Sequence, residues 1–193
     1  MTKKLNPWRE SKDLLKQART AQWRRKVHAI IFMIFKWELN AIGAKVLEVG
    51  TMGPMIRHFK KIFKWDRVSC TGGLDLDYYV GIDQGHYDLI IFSHTIEHLC
   101  NPLTALESLR YMLNDRGRMI VALPQRKRFQ QHNHHFHEID DKRMRYLFQK
   151  SGFEVIDYVK YNNPPAWWKV IGRIRPMLYY FRQTNGVYLV RKG

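Results

Sequence analysis

Residues 87–102 read Tyr87-Asp88-Leu89-Ile90-Ile91-Phe92-Ser93-His94-Thr95-Ile96-Glu97-His98-Leu99-Cys100-Asn101-Pro102, and a second apolar run follows at Met119-Ile120-Val121-Ala122-Leu123-Pro124. Leu89–Phe92 and Met119–Leu123 have no polar member, which predicts two strands covered on both faces. Asn101 as N-cap and Pro102 at the first position open a helix between them. Leu103, Leu106, Leu109 and Leu113 line its predicted buried face, and Asp115-Arg116-Gly117 forms the turn into the second strand. The segment is therefore a βαβ unit. In open α/β sheets the ligand crevice lies at the carboxyl ends of the strands, which puts Ser93, His94, Glu97 and His98 where chemistry or cofactor binding is expected.

Elements of the same kind flank this unit. Lys45–Gly50 predicts a strand, and Pro54 starts a helix that buries Ile56, Phe59 and Phe63. Arg67–Thr71 reads as a short strand that Gly72-Gly73 breaks, before an acidic loop Leu74-Asp75-Leu76-Asp77. After Pro124 a basic, histidine-rich loop runs to His137. A helix at 140–150 then ends before Gly152. Residues 153–161 alternate as a strand. Asn163-Pro164-Pro165 opens a helix striped with Trp167, Ile171, Ile174 and Leu178, and Val187–Arg191 forms the last strand. Upstream, residues 8–37 read as a helix with Val27, Ile30, Ile31 and Ile34 on its apolar side. This alternation predicts an α/β fold: a doubly wound, mostly parallel sheet with an antiparallel C-terminal edge strand and helices on both faces. The expected organisation is a single domain. A basic N-terminal helical segment, 1–39, packs on a core at 40–193 that carries a basic aromatic helical insert at 162–185.

With 193 residues, 45% of them hydrophobic, the chain suffices for one domain with a real core. Its two cysteines, Cys70 and Cys100, form no disulfide or metal framework, so a reducing cytoplasmic setting is expected. The N-terminus is polar and basic, which does not suggest a secretory leader. The longest apolar run, Ala29–Phe35, falls far short of the ~20 residues that span a bilayer. The net charge of +16 is concentrated at the two ends. Residues 1–37 carry ten Lys/Arg against Glu10 and Asp13, and residues 160–193 carry seven and no acid. Such ends suit an anionic membrane surface, which implies a peripheral location on its inner face, or RNA. The stripe at 167–178, with Lys169, Arg173 and Arg175, suits an interfacial helix, a lid over an acceptor pocket or a homodimer face.

Two segments resemble the class I S-adenosylmethionine-dependent methyltransferases, and most closely their type 11 group. Val46-Leu47-Glu48-Val49-Gly50-Thr51-Met52-Gly53 is similar to the glycine-rich first motif. Tyr87–Ile91, Glu97-His98-Leu99, Arg116-Gly117-Arg118 and Leu123-Pro124 are similar to the fourth and fifth strands and the helix between them. Ser151–Val155 resembles the start of the sixth strand, so the resemblance covers about residues 40–160. It implies a Rossmann-like fold and S-adenosyl-L-methionine as cofactor. It implies that Glu48, Gly50, Thr51, Met52 and Gly53 hold the methionine part. The family favours glycine where Met52 and Pro54 stand, so the Met52 side chain could intrude on the pocket. An acid near the end of the second strand would take the ribose hydroxyls, since one carboxylate accepts from both. Asp75 and Asp77 fit that role, with Asp83 as a substitute.

The same resemblance puts Ser93 and His94 beside the transferred methyl group, where His94 could take a proton from the acceptor. His135 and His137, in the loop over the site, could contact the acceptor or act in catalysis. The run His132-Asn133-His134-His135-Phe136-His137 by itself suggests zinc, but no cysteine is near and only Glu138, Asp140 and Asp141 could complete a site, so no metal is expected. The expected reaction is methyl transfer to an O or N atom of a small-molecule, glycan- or lipid-linked acceptor. Neither the Asn/Asp-Pro-Pro-aromatic tetrad of amino-methylating DNA enzymes nor the Pro-Cys pair of cytosine C5 enzymes is present; Asn163-Pro164-Pro165-Ala166 lacks the aromatic.

Overall fold

The computed structural model describes residues 21–40, 43–50, 53–65, 67–72, 75–78, 86–125, 135–163 and 183–193. In chain order the elements are α1 (Ala21–Lys36), β1 (Lys45–Val49), α2 (Pro54–Phe63), β2 (Arg67–Cys70) and β3 (Tyr87–Ser93). A 3₁₀ turn (Ile96–His98), α3 (Pro102–Met112), β4 (Leu113–Gln125), α4 (Asp141–Lys150), β5 (Phe153–Asn163) and β6 (Gln183–Lys192) follow. Residues 8–20 of the expected N-terminal helix and the 167–178 stripe lie outside the described residues, as do Thr51, Met52 and Asp83.

The six strands are ordered β2-β1-β3-β4-β6-β5. β2, β1, β3 and β4 pair in parallel, while β6 runs antiparallel to both β4 and β5. The antiparallel pairing thus lies at this edge of the sheet, with the reversed strand β6 one place in and β5 outermost. The expected doubly wound, mostly parallel architecture is what the chain adopts.

Strand periodicity divides the core in two. Leu47, Val49, Ile90, Phe92, Met119, Val121, Leu123, Tyr188 and Val190 face α3 and α4, where Leu106, Leu109, Met112, Met144 and Phe148 meet them. Their neighbours Val46, Leu89, Ile91, Ile120, Ala122, Val187 and Leu189 face α1 and α2. Because both faces are covered, the central strands read as continuous apolar runs rather than alternating ones. On the second face α1 contributes Val27, Ile30, Ile31, Met33 and Ile34, and α2 contributes Met55, Ile56, Phe59 and Phe63, all buried. Phe59 and Phe63 stack with Trp65 at centroid distances of 6.3 and 5.1 Å. Burial of each such ring stabilises the fold by roughly 1.5–3 kcal/mol.

Local capping matches the residues present. Asn101 Oδ1 accepts from Thr104 N at 3.4 Å at the start of α3, and Asp140 Oδ1 accepts from Arg143 N at 2.8 Å at the start of α4. Leu113, expected as the last buried residue of α3, instead begins β4. It pairs with Tyr87 while its N–H still bonds Leu109 O, so the chain passes from helix to strand within one residue. The Asp115–Gly117 turn appears as an irregularity inside β4, where pairing jumps from Tyr87–Leu113 to Leu89–Arg118. Asp88 secures that jump: its carboxylate accepts from Asn114 Nδ2 at 2.6 Å and from Lys45 N at 2.8 Å.

Candidate active site

β1 is followed in sequence by β2 on one side of it, while β3 pairs on its other side. Strand order therefore reverses between β1 and β3, and a ligand crevice belongs at their carboxyl ends. The register Val49–Phe92 brings Gly50 level with Ser93. Gly50 has φ +109°, a conformation that L side chains rarely adopt, and its N–H donates to Thr71 Oγ1 at 2.8 Å just beyond β2. A Cβ placed on Gly50 would lie 3.6 Å from Thr95 Oγ1, so the mouths of β1 and β3 are in contact range there.

Glu48 is buried, and its Oε2 accepts from Gly53 N at 3.0 Å, which folds the β1–α2 turn back over the strand. Burial raises the Glu48 pKa, opposed by the Gly53 N–H and by the charges of Lys26 and Arg57. Lys26, on α1, is driven the other way: burial lowers its pKa, while Glu48 and Glu97 oppose that shift. Two buried carboxylates thus share the field of one ammonium. α2 begins at Gly53 without a side-chain cap, so its first amides face the turn.

Ser93 and His94 sit at the end of β3. His94 takes φ +54° and donates its N–H to Ala122 O at 2.7 Å, which extends the β3–β4 ladder by one bond. Its Nδ1 lies 3.5 Å from Glu97 Oε1. Ser93 Oγ, His94 Nε2 and Glu97 Oε2 are all buried with no hydrogen-bond partner among the described residues. Native proteins rarely leave such atoms unmatched, and three within five residues at a strand-end crevice fit a bound polar ligand. On these observations Glu48, Gly50, Gly53, Ser93 and His94 fit the cofactor that the sequence resemblance implies.

The acidic loop is tied down locally. Asp75 Oδ1 accepts from Asp77 N at 3.0 Å, and Asp77 Oδ1 accepts from Asn101 N at 2.7 Å. That backbone bond to Asn101 holds the Asp77 carboxyl below its ordinary range. Leu76 between them is buried in the core, so the loop docks against the start of α3. Each acid therefore spends one oxygen on the backbone.

The two loop histidines separate. His135 packs edge-on against His98 with ring centroids 4.9 Å apart, and its Nδ1 lies 3.2 Å from Glu138 Oε1. His137 Nε2 lies 3.1 Å from Cys100 O on the exposed rim. Both are held in place by Glu97, whose carbonyl accepts from Phe136 N at 3.0 Å and His137 N at 3.3 Å.

Sequence reasoning missed Lys26 and Tyr161. Lys26 follows Arg24 and Arg25 in a basic stretch of the first helix, where a lysine reads as solvated. Tyr161 lies near the end of β5; burial raises its pKa, and the charge of Glu97 adds to the shift. No periodicity signals either residue, because both reach the site only through the packing of α1 and β5. Arg24, Arg25, His28, Ala29, Phe32, Val159 and Tyr161 line a groove of about 490 Å³ on that side.

A family model described as a methyltransferase domain matches residues 15–158. No curated protein matches the chain. Among solved structures it is similar to 1,6-didemethyltoxoflavin-N1-methyltransferase of Burkholderia thailandensis, bound to 1,6-didemethyltoxoflavin and S-adenosylhomocysteine. That likeness has a TM-score of 0.61 at 14% identity, over 96% of this chain and 83% of that one. It is also similar to a SAM-dependent methyltransferase of Aquifex aeolicus, with a TM-score of 0.55 at 14% identity over 82% and 87% of the two chains. The [4+2]-cyclase SpnF is similar too, with a TM-score of 0.61 at 12% identity over 90% and 83%. Identities this low establish a shared fold, and SpnF illustrates that one fold carries more than one chemistry. The family match spans most of the chain and includes both ends of the crevice. The chain belongs to the methyltransferase-domain family.

Proposed function

We propose that the chain transfers a methyl group to an oxygen or nitrogen atom of a phosphate-bearing small molecule or of a sugar- or lipid-linked acceptor. The observation that carries this reading is His94, held at positive φ at the crevice with a buried, unmatched Nε2. Backbone strain of this kind collects at sites where a side chain must be aimed. When bound, S-adenosylmethionine supplies an electrophilic methyl on a positively charged sulfur. The methyl would pass to the acceptor atom with S-adenosylhomocysteine and one proton as the other products, and this chain's part is to hold both molecules and take up that proton. His94 Nε2 would accept that proton from a hydroxyl or amine. Positioning and exclusion of water supply the rest of the acceleration, since methyl transfer to a good nucleophile needs mainly alignment.

Glu48 and the backbone of Gly50 and Gly53 would hold the methionine part, and the remaining oxygens of Asp75 and Asp77 would take the ribose hydroxyls. The groove lined by Arg24, Arg25, Phe32, Val159 and Tyr161 supports the acceptor class, because guanidinium groups beside apolar surface suit a phosphate attached to an apolar body. Among the described residues no helix is long and apolar enough to cross a membrane.

Calorimetry with S-adenosylmethionine and S-adenosylhomocysteine, followed by radiolabelled methyl transfer to phosphorylated-sugar and lipid-linked acceptors, tests the reading. At saturating S-adenosylmethionine, His94→Ala should lower kcat by about 10²–10⁴-fold, the usual contribution of a general base. Full activity in His94→Ala would remove the imidazole from the mechanism, and acceptors without phosphate reacting equally well would remove the groove.

A further inference from the structure

Glu97, His98 and His135 each offer one ligand atom, and these atoms all lie within 4.8 Å of one another. We propose that the three residues form a binding site for a divalent transition-metal ion of the zinc and manganese class, next to His94. Two imidazoles and a carboxylate are a donor set that such ions accept, with further positions open to water or substrate. Ligand atoms around a zinc ion at ~2.0–2.2 Å stand some 3–4 Å apart, so side-chain shifts of about 1 Å close the site.

The backbone builds this cluster. The 3₁₀ turn after β3 delivers Glu97 and His98. The bonds from Phe136 N and His137 N to Glu97 O clamp the 135–137 segment onto that turn and set His135 against His98. Ligating histidines commonly present their second ring nitrogen to a carboxylate, which fixes the tautomer. Glu138 Oε1, 3.2 Å from His135 Nδ1, is the carboxylate within reach of that role.

Glu97 supplies an independent reason. It is 2% exposed, and its Oε2 has no hydrogen-bond partner among the described residues. A buried carboxylate oxygen without a partner is costly, and a cation is the partner it lacks. Lys26 is the ammonium whose field reaches Glu97, and Glu48 draws on the same charge. The two acids beyond Glu138 are engaged elsewhere: Asp140 caps α4, and Asp141 accepts from Tyr188 and Arg145. The ligands come instead from two segments 37 or more residues apart, which is why a scan of the run for zinc spacing expects no site. An ion here would lower the pKa of a bound hydroxyl, so it favours an oxygen acceptor; this last step alone rests on the acceptor reading above.

The test uses the untagged full chain, stripped of metal by chelator dialysis and titrated calorimetrically with ZnCl₂, MnCl₂ and MgCl₂. A parallel titration with CoCl₂ is followed by visible absorption. One zinc or manganese ion per chain, bound more tightly than magnesium, is expected. Glu97→Gln, His98→Ala and His135→Ala should each weaken binding by at least about 100-fold, beyond the ~10–100-fold typical of residues that only orient a ligand. The His132→Ala/His134→Ala double variant should bind as the parent does. Circular dichroism and S-adenosylhomocysteine titration of the same samples separate loss of this site from loss of the fold or of the cofactor site. Absence of binding at millimolar metal, or binding lost in the double variant and kept in folded Glu97→Gln and His135→Ala, overturns the proposal.

Discussion

Replacing Gly50 by alanine separates two reasons for a glycine at the end of β1. The first is space: the added methyl would meet Thr95 Oγ1 at 3.6 Å, an ordinary contact. The second is conformation: φ is +109°, where an L residue is strained. The structure therefore assigns the cost to the backbone. A residue held in so sparsely populated a region costs on the order of 1–3 kcal/mol. Alanine returns ~0.4–1 kcal/mol by stiffening the unfolded chain, which leaves a net loss of about 1–2 kcal/mol. At ~2–4 °C per kcal/mol for a chain of this size, Tm should fall by roughly 2–8 °C. Urea unfolding followed by tryptophan fluorescence, with an unchanged m-value, measures the same loss. A Tm at or above that of the parent would refute the assignment of strain. Unchanged stability with loss of S-adenosylhomocysteine binding would show that the glycine is kept for the ligand rather than for the turn.

Phe148 is fully buried between Phe153 and Tyr188, at centroid distances of 6.4 and 5.4 Å, so Phe148→Ala should destabilise by about 3–5 kcal/mol in denaturant titration. Burial alone would raise the Asp157 pKa, but hydrogen bonds from Lys36 Nζ at 2.7 Å, Trp37 Nε1 at 2.8 Å and Tyr158 N outweigh it and leave the carboxyl below its ordinary 3.8. The folded pKa is the depressed one, so the stability it contributes is present above about pH 3.8 and is lost as pH falls below it. Asp157→Asn should therefore lower stability at pH 7 and approach the parent as pH falls below 3.8 in urea titrations. A gap that stays constant with pH would show that the carboxylate is not selectively stabilised in the fold.

The β3–α3–β4 unit was legible in the sequence because its signals are local. An uninterrupted apolar strand, an Asn-Pro helix start and a second apolar run act within forty residues, and packing on both faces of the sheet reinforces each. Leu113 shows the limit: its place in the 3.6-residue stripe is correct for burial, yet cross-strand pairing with Tyr87 claims it for β4. Asp77 was legible as an acid near the crevice. That one of its oxygens is committed to Asn101 N, 24 residues on, depends on how the loop docks and has no sequence signature. His135 and His137 look equivalent in the histidine run, and only the clamp onto Glu97 O turns one toward His98 and the other toward Cys100 O. Lys26 was hidden by its neighbours, since a lysine beside Arg24 and Arg25 on a basic helix reads as solvated.

The insertion of β6 between β4 and β5 has a consequence for how the chain is made. β6 follows every other described strand in the sequence, yet among the described residues β5 has no other partner and β4 has none on that side. Until residue 192 clears the ribosome, β4 offers an open row of backbone donors and acceptors beside some of the most buried positions in the protein, from Ile120 to Leu123. Closing the sheet also means joining Met119 to Val190, a contact between strands far apart in sequence, which is slow by its loop entropy. The nascent chain is therefore at its most aggregation-prone once the five preceding described strands are made, and deletion of β6 would harm folding more than its distance from the crevice suggests.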